Sequence, residues 1–313
     1  MKPTQANTAR LSLIIAMLIF GTIGIFRNLI PMPSSVIALI RGAGGTLFLV
    51  VFCILRRKKL SGPAIGSNLF LLVVSGAFIG FNWILLFEAY RYTSVPTATL
   101  CYYLAPVIVI LVSPILFKEP LPARKIVCVV VALVGMVFVT GVADRLFFGA
   151  EQAVAQAAAS GKDDLKGILF GLGAAALYAS VVLMNKKLSG VQAFERTVMQ
   201  LGAAAVALVP YVLLTGEWRG LDWNATSVGL LLVVAIVHTG ISYALYFGAI
   251  KDLPAQTSAL LSYIDPVSAI LFSAALVNCF ENEKPLTPTG IVGAVLVLGA
   301  TILSELPIGR KKT

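Results

Sequence analysis

Apolar runs of about 20 residues, separated only by short polar breaks, recur from one end of this chain to the other. Ten can be drawn, at 11–30, 35–55, 68–90, 96–117, 124–142, 166–187, 194–214, 227–250, 254–278 and 288–306. As helices rising about 1.5 Å per residue, each reaches across the roughly 30 Å hydrocarbon core of a bilayer. A soluble fold has no interior large enough to hide them, since 58% of the residues are apolar and 12% charged. Soluble domains carry roughly twice that share of charge. In lipid each backbone N–H and C=O must be satisfied within the protein, which a helix does within itself. The expected fold is therefore all-α integral membrane, with ten transmembrane helices. Pro96 and Pro254 mark the junctions where the third and fourth runs, and the eighth and ninth, nearly merge.

The formal charge of +10 would suggest a nucleic-acid partner in a soluble protein. Here the basic residues sit in clusters between apolar runs and read as topology. With the N-terminus in the cytoplasm, the inner face collects Lys2, Arg10, Arg56 to Lys59, Lys118, Arg124, Lys125, Lys186, Lys187, Arg196, Lys251 and Arg310 to Lys312. That bias fits ten spans with both termini inside. The first run lacks a small-residue cleavage site after it and is expected to be a retained helix. Cys53, Cys101, Cys128 and Cys279 lie in or beside apolar runs without metal-ligand spacing, so they are expected to be packing residues. No cofactor or metal site is expected.

Self-similarity divides the chain. Shifted by about 160 residues, FIGFNWILLFEAYRYTSVPTATLCYYLAPVIVILVS lies over HTGISYALYFGAIKDLPAQTSALLSYIDPVSAILFS, with roughly a third of positions identical. Gly80 meets Gly240, Phe87 meets Phe247, Tyr103 meets Tyr263 and Pro106 meets Pro266. Apolar composition alone would not align Gly, Tyr and Pro. The halves are expected at 1–142 and 166–313, joined by an outer linker at 143–165 that is either a surface helix or a loose tether. Five spans is an odd number, so the second copy enters the membrane from the opposite side. Such inverted repeats are frequent in secondary transporters, where two similar halves enclose a midplane site and rock between two access states.

Several placed motifs carry a resemblance. The second run holds LIRGAGGTLF around Arg41, the third ends in LLFEAYRYTSVPTATL, and the fourth runs LAPVIVILVSPILFKEPL with Glu119 at its end. The ninth carries YIDPVSAILFSAALVNCFENEKPL and the tenth GIVGAVLVLGATIL. In order and spacing the chain resembles the drug/metabolite transporter superfamily, in its ten-span EamA-type branch. That resemblance implies export of amino acids, other small metabolites or toxic compounds across a bacterial cytoplasmic membrane. The 143–165 segment is longer than the connection usual in that family.

Ionisable groups inside a membrane are costly and so are candidates for function. Asp265, directly before Pro266, could take an ammonium group or a coupling proton, or be a protonated strut between helices. His238, the one histidine, could relay protons or act as a neutral hydrogen-bond partner. Arg41 and Glu88 both fall in the outer halves of their helices and could pair, as a gate or as a static strut. Asn82 and Trp83 match Ser242 and Tyr243 under the repeat, while Tyr102 and Tyr103 match Ser262 and Tyr263. Aromatic walls with a few polar groups suit an amphipathic solute or an organic cation. Gly76 with Gly80, and Gly167 with Gly171, are read as helix-packing pairs. The partners expected are a small-molecule substrate and the lipid bilayer, with protons as an open alternative, in a monomer or homodimer. An enzyme would need a nucleophile–base pair, a metal cluster or a phosphate loop, and the polar segments offer none. A structural or sensory membrane protein is the remaining rival.

Overall fold

The computed structural model describes residues 3–57, 61–93, 95–140, 142–143, 164–275 and 288–305, and among these every regular element is helical. The first half contains α1 (Pro3–Leu29), α2 (Ser34–Leu55), α3 (Gly62–Tyr92), α4 (Val95–Tyr102), α5 (Ala105–Phe117) and α6 (Ala123–Val139). The second contains α7 (Asp164–Lys187), α8 (Ala193–Thr215) and α9 (Ala225–Val233), which runs through a π-helical segment (Val234–Ile241) into α10 (Ser242–Asp252). It ends with α11 (Ala255–Leu261), α12 (Ile264–Ala275) and α13 (Pro288–Glu305). The linker expected at 143–165 falls almost wholly outside the described residues, as does Cys279.

Seven helical stretches among the described residues are long and apolar enough to cross a membrane. One of them, Thr97–Phe117, spans α4 and α5, and another, Ala225–Asp252, runs unbroken through the π segment. The other three expected spans correspond to α6, to α11 with α12, and to α13, whose described parts are shorter. Large apolar side chains face outward on many helices: Leu214 is 88% exposed, Ile115 80% and Phe70 77%. In water such a surface would drive aggregation; lipid is the solvent it fits. Trp218 and Trp223 are exposed in the turn between α8 and α9, the level at which amphipathic rings favour a membrane interface.

Close helix crossings depend on small residues. A Cβ added at Gly76 would stand 2.5 Å from the Gln200 carbonyl oxygen, and one at Gly80 2.8 Å from that of Ala204, so α3 and α8 touch backbone to backbone. Gly167 and Gly171 bring α7 against Thr93, Ala98 and Cys101 in the same way, as the sequence spacing suggests. α3 packs on α7 and α8, α1 on α10 and α12, α2 on α8 and the π segment, and α6 on α13. Helix ends follow their sequence signals. Asn224 caps α9 by accepting from Ser227 N at 2.8 Å, Gln192 and Glu195 form a capping box on α8, and left-handed Gly216 closes that helix.

Candidate functional site

Two helix breaks meet at the centre of the bundle. α4 stops at Tyr102 and α5 resumes at Ala105; α11 stops at Leu261 and α12 resumes at Ile264. Pro106 and Pro266 lack the N–H that the carbonyls of Tyr102 and Ser262 would receive in an unbroken helix. The chain tightens instead, with Leu104 N donating to Cys101 O at 3.2 Å and Tyr263 N to Leu260 O at 3.1 Å. The breaks are stitched together by the fully buried Tyr263, whose hydroxyl donates to Tyr103 O at 3.1 Å.

Beside them lies a hollow of about 30 Å³, lined in part by Phe20, Tyr102, Tyr103, Tyr178, Ser262 and Asp265. That volume holds about one water. Among the described residues nothing donates a hydrogen bond to the Asp265 carboxylate, and the charge in its surroundings is that of Arg41. Rings pack around it: Tyr178 donates to the Tyr246 hydroxyl at 2.8 Å, and Tyr102 stands 5.7 Å from Tyr178 between centroids. Contacts from Phe20 to Tyr243 at 5.1 Å and from Tyr243 to Trp83 at 6.4 Å lead on to Arg41, whose guanidinium lies 4.7 Å from the Trp83 centroid.

Arg41 also lines a second cavity, of about 690 Å³, whose walls include Ala38, Phe87 and Tyr90 and whose rim carries exposed Arg27 and Arg91. Glu217 joins this rim, where Ser35 Oγ donates to its carboxylate. The opposite end of the bundle is closed. Lys186 Nζ sits 3.4 Å from Glu119 Oε1 and donates to Leu253 O at 2.6 Å. Glu119 accepts from the Ala255 N–H at 3.2 Å, and Gln256 donates to Pro120 O at 3.2 Å. These contacts tie the turn after α5 to the end of α7 and to the α10–α11 junction. That they lie at the far end follows from α3: its last turn adjoins Gly167 of α7 and carries Arg91, while its Asn68 donates to Ser189 O beyond the end of α7.

The structure gathers some of the sequence candidates and scatters others. Asp265, Tyr102, Tyr103 and Ser262 share the small hollow, and Trp83 with Tyr243 connects it to Arg41. Asn82 is turned away, its amide donating to Ala174 O of α7 at 2.6 Å. Ser242 donates within its own helix to Val237 O at 2.9 Å. His238, buried in the π segment, lies 2.8 Å from Thr22 Oγ1 and lines neither cavity. The Arg41–Glu88 pair is not formed. Glu88 is held instead by Arg91 at 3.0 Å and by the Tyr211 hydroxyl at 2.5 Å, while Arg41 Nε donates to Thr239 Oγ1 at 3.1 Å. One turn of helix separates Glu88 from Arg91, and that local partner captures the carboxylate. Phe20 and Tyr178 fall outside the aligned stretch of the repeat and Tyr246 meets Leu86 within it, so none of the three was legible as a site residue.

Comparison with known proteins agrees with this architecture. The model of the EamA-like transporter family matches residues 7–141 and again residues 165–306. The uncharacterized transporter YxxF of Bacillus subtilis is 28% identical over 279 residues, 85% of this chain and 81% of the relative. An uncharacterized transporter of Archaeoglobus fulgidus is 23% identical over 294 residues, covering 94% of each. Protein RarD of Salmonella typhi is 27% identical over 224 residues, 70% of this chain and 66% of that protein. A crystal structure with 18% sequence identity superposes with a TM-score of 0.75 over 95% of this chain and 98% of its own, a likeness of fold. This multi-pass membrane protein belongs to the EamA-like transporter family.

Proposed function

We propose that the protein is a secondary transporter of ten spans in two inverted five-helix repeats, exporting small amphipathic metabolites, amino acids above all, by alternating access. The observation that carries this reading is the asymmetry of the bundle. A cavity of about 690 Å³ opens between α1, α2, α3 and α8, while an ion pair and backbone contacts seal the other end. With both termini in the cytoplasm, the cavity faces outward and the basic, sealed end faces inward. The two matches to one family model support the repeat. So does the packing: α3 against α7 is answered by α10 against α1, and α5 against α7 by α12 against α1. Exchanging the halves therefore converts the outward opening into an inward one of similar energy. In this scheme Asp265 takes up an ammonium group or a coupling proton, and an Arg41–Glu88 pair is a contact of the other access state.

The test is uptake of a radiolabelled amino-acid panel into proteoliposomes, with and without an inward proton gradient, by the wild type and Asp265→Asn. Saturable uptake accelerated by the gradient, and lost in a monodisperse mutant, is the expected result. Uptake indifferent to both gradient and mutation removes Asp265 from the mechanism and leaves the carrier. A second reading, efflux of organic cations, draws on the tyrosines packed around the Asp265 hollow. It takes precedence if only cationic solutes move. Failure of every solute to move would favour the structural or sensory role.

A further inference from the structure

We propose that Arg41 is the carboxylate anchor of the outward cavity, so that the solutes recognised there carry a carboxylate. This inference rests on the transport reading and deepens it by naming the substrate class. Arg41 sits about two turns inside α2, on the wall of the 690 Å³ cavity. Two contacts fix its side chain and leave its tips free. Nε donates to Thr239 Oγ1 at 3.1 Å, and the guanidinium plane stands over Trp83 at 4.7 Å from the ring centroid. Among the described residues neither terminal nitrogen has a hydrogen-bond acceptor. A guanidinium held by its Nε and its face presents its two terminal N–H groups as a fork, the geometry that matches a carboxylate with two parallel bonds.

The surrounding charge points the same way. Glu88 is occupied by Arg91 and Tyr211, and Glu217 accepts from Ser35, so the acidic groups nearest the rim already have partners. Arg27, Arg41 and Arg91 then give the cavity a net positive lining that draws anionic groups inward. Arg41 is half-buried, and the charge of Asp265 reaches it. Even so, among the described residues no carboxylate partner bonds to its terminal nitrogens, a costly state in a membrane interior. The substrate's carboxylate supplies that partner only while it is bound. Phe87, Tyr90 and the Trp83 ring flank the site with apolar surface that suits the rest of an amphipathic acid.

The test is competition against bound radiolabelled phenylalanine in detergent, using phenylalaninamide and 3-phenylpropanoate as probes, for the wild type, Arg41→Gln and Arg41→Lys. A merely structural Arg41 would change stability or affinity for all probes alike; an anchor changes the ratio between them. The wild type is expected to prefer the two carboxylates over the amide at least tenfold. In Arg41→Gln that preference should fall below about twofold, with Arg41→Lys between them, since an ammonium keeps the charge and loses the fork. Equal binding of amide and acid by the wild type overturns the inference, as does an undiminished preference in a folded Arg41→Gln. If none of the three probes binds while proteoliposomes carry a solute lacking a carboxylate, the anchor is wrong and the transport reading stands. If no solute binds or moves at all, both fall.

Discussion

Single residues show how costly groups are accommodated in this bundle. Arg196 is wholly buried near the start of α8, where it donates to the carbonyls of Asn185, Leu188 and Val191 at 3.0, 3.1 and 3.2 Å. Those carbonyls belong to the end of α7 and the turn after it, so one guanidinium closes a helix terminus and splices two helices. From sequence Arg196 is only one of several basic residues at the inner face, because nothing local tells a snorkelling arginine from a buried strut. Arg196→Met should strip three buried acceptors and destabilise the protein by roughly 3 kcal/mol. It would be read as a lower unfolding midpoint in detergent. Tyr263→Phe makes a smaller deletion of the same kind. Losing its bond to Tyr103 O should cost about 1–2 kcal/mol and loosen the junction of the two breaks. Unchanged melting in either variant would contradict these assignments. Asp265 differs, since among the described residues its carboxylate has no donor and so ties no helix to another. Asp265→Asn is therefore expected to melt at or above the wild-type temperature while transport falls at least tenfold, a separation visible in paired melting and uptake measurements.

At the scale of elements, small-residue spacing decides which helices touch. The GAGG run after Arg41 lets α2 lie against the π segment, where a Cβ on Gly45 would stand 3.0 Å from Thr239 Cγ2 and 3.1 Å from Ala235 O. Thr239 Oγ1 and Ser242 Oγ each donate to a carbonyl five residues earlier, at 2.9 Å, and so occupy acceptors freed by the widened turn. Gly80→Leu, at the α3–α8 crossing, is expected to abolish folded protein on size-exclusion chromatography. Gly24→Ala should be neutral, since a Cβ there meets nothing within 4 Å. Ordered, active Gly80→Leu would show that this crossing is looser than described.

These elements also mark what the sequence could and could not reveal. Hydrophobic run length marked the apolar helices, since it depends on local composition, and the repeat aligned Pro106 with Pro266, but the interruptions beside those prolines were not foreseen. The partner of Glu88 one turn on was local as well, yet the apparent depth of Arg41 and Glu88 left open a pair that the structure does not contain. The π segment left no signal either, because its VAIVHTGI sequence suits an ordinary helix and only the tertiary crossing with α2 widens it. Asn82 and Ser242 bond to backbone carbonyls of a neighbouring helix and of their own turn for a related reason. Equivalence under a repeat fixes depth in the membrane, whereas helix rotation decides whether a side chain meets a cavity or a neighbour.

The whole molecule is poised between two ends, one open at Arg27 and Arg91 and one closed by Lys186 and Glu119. The closing ion pair is only partly shielded, with side-chain exposures of 15% and 18%, so its contribution is modest. Glu119→Gln should remove on the order of 1 kcal/mol, about a fivefold shift toward the state open at the inner end. Thiol labelling of a cysteine placed at the sealed end would report that shift as faster modification.

Alternating access itself is tested most directly by spin-label distances across the two ends, after Cys53, Cys101, Cys128 and Cys279 are replaced. One pair, Leu29→Cys with Arg91→Cys, spans the cavity mouth, and another, Ala123→Cys with Lys187→Cys, spans the sealed end. On adding a transported amino acid, the outer pair should gain a shorter distance and the inner pair a longer one, in equal proportions. Distances that stay fixed at both ends while the same protein carries solute across liposomes would contradict the account.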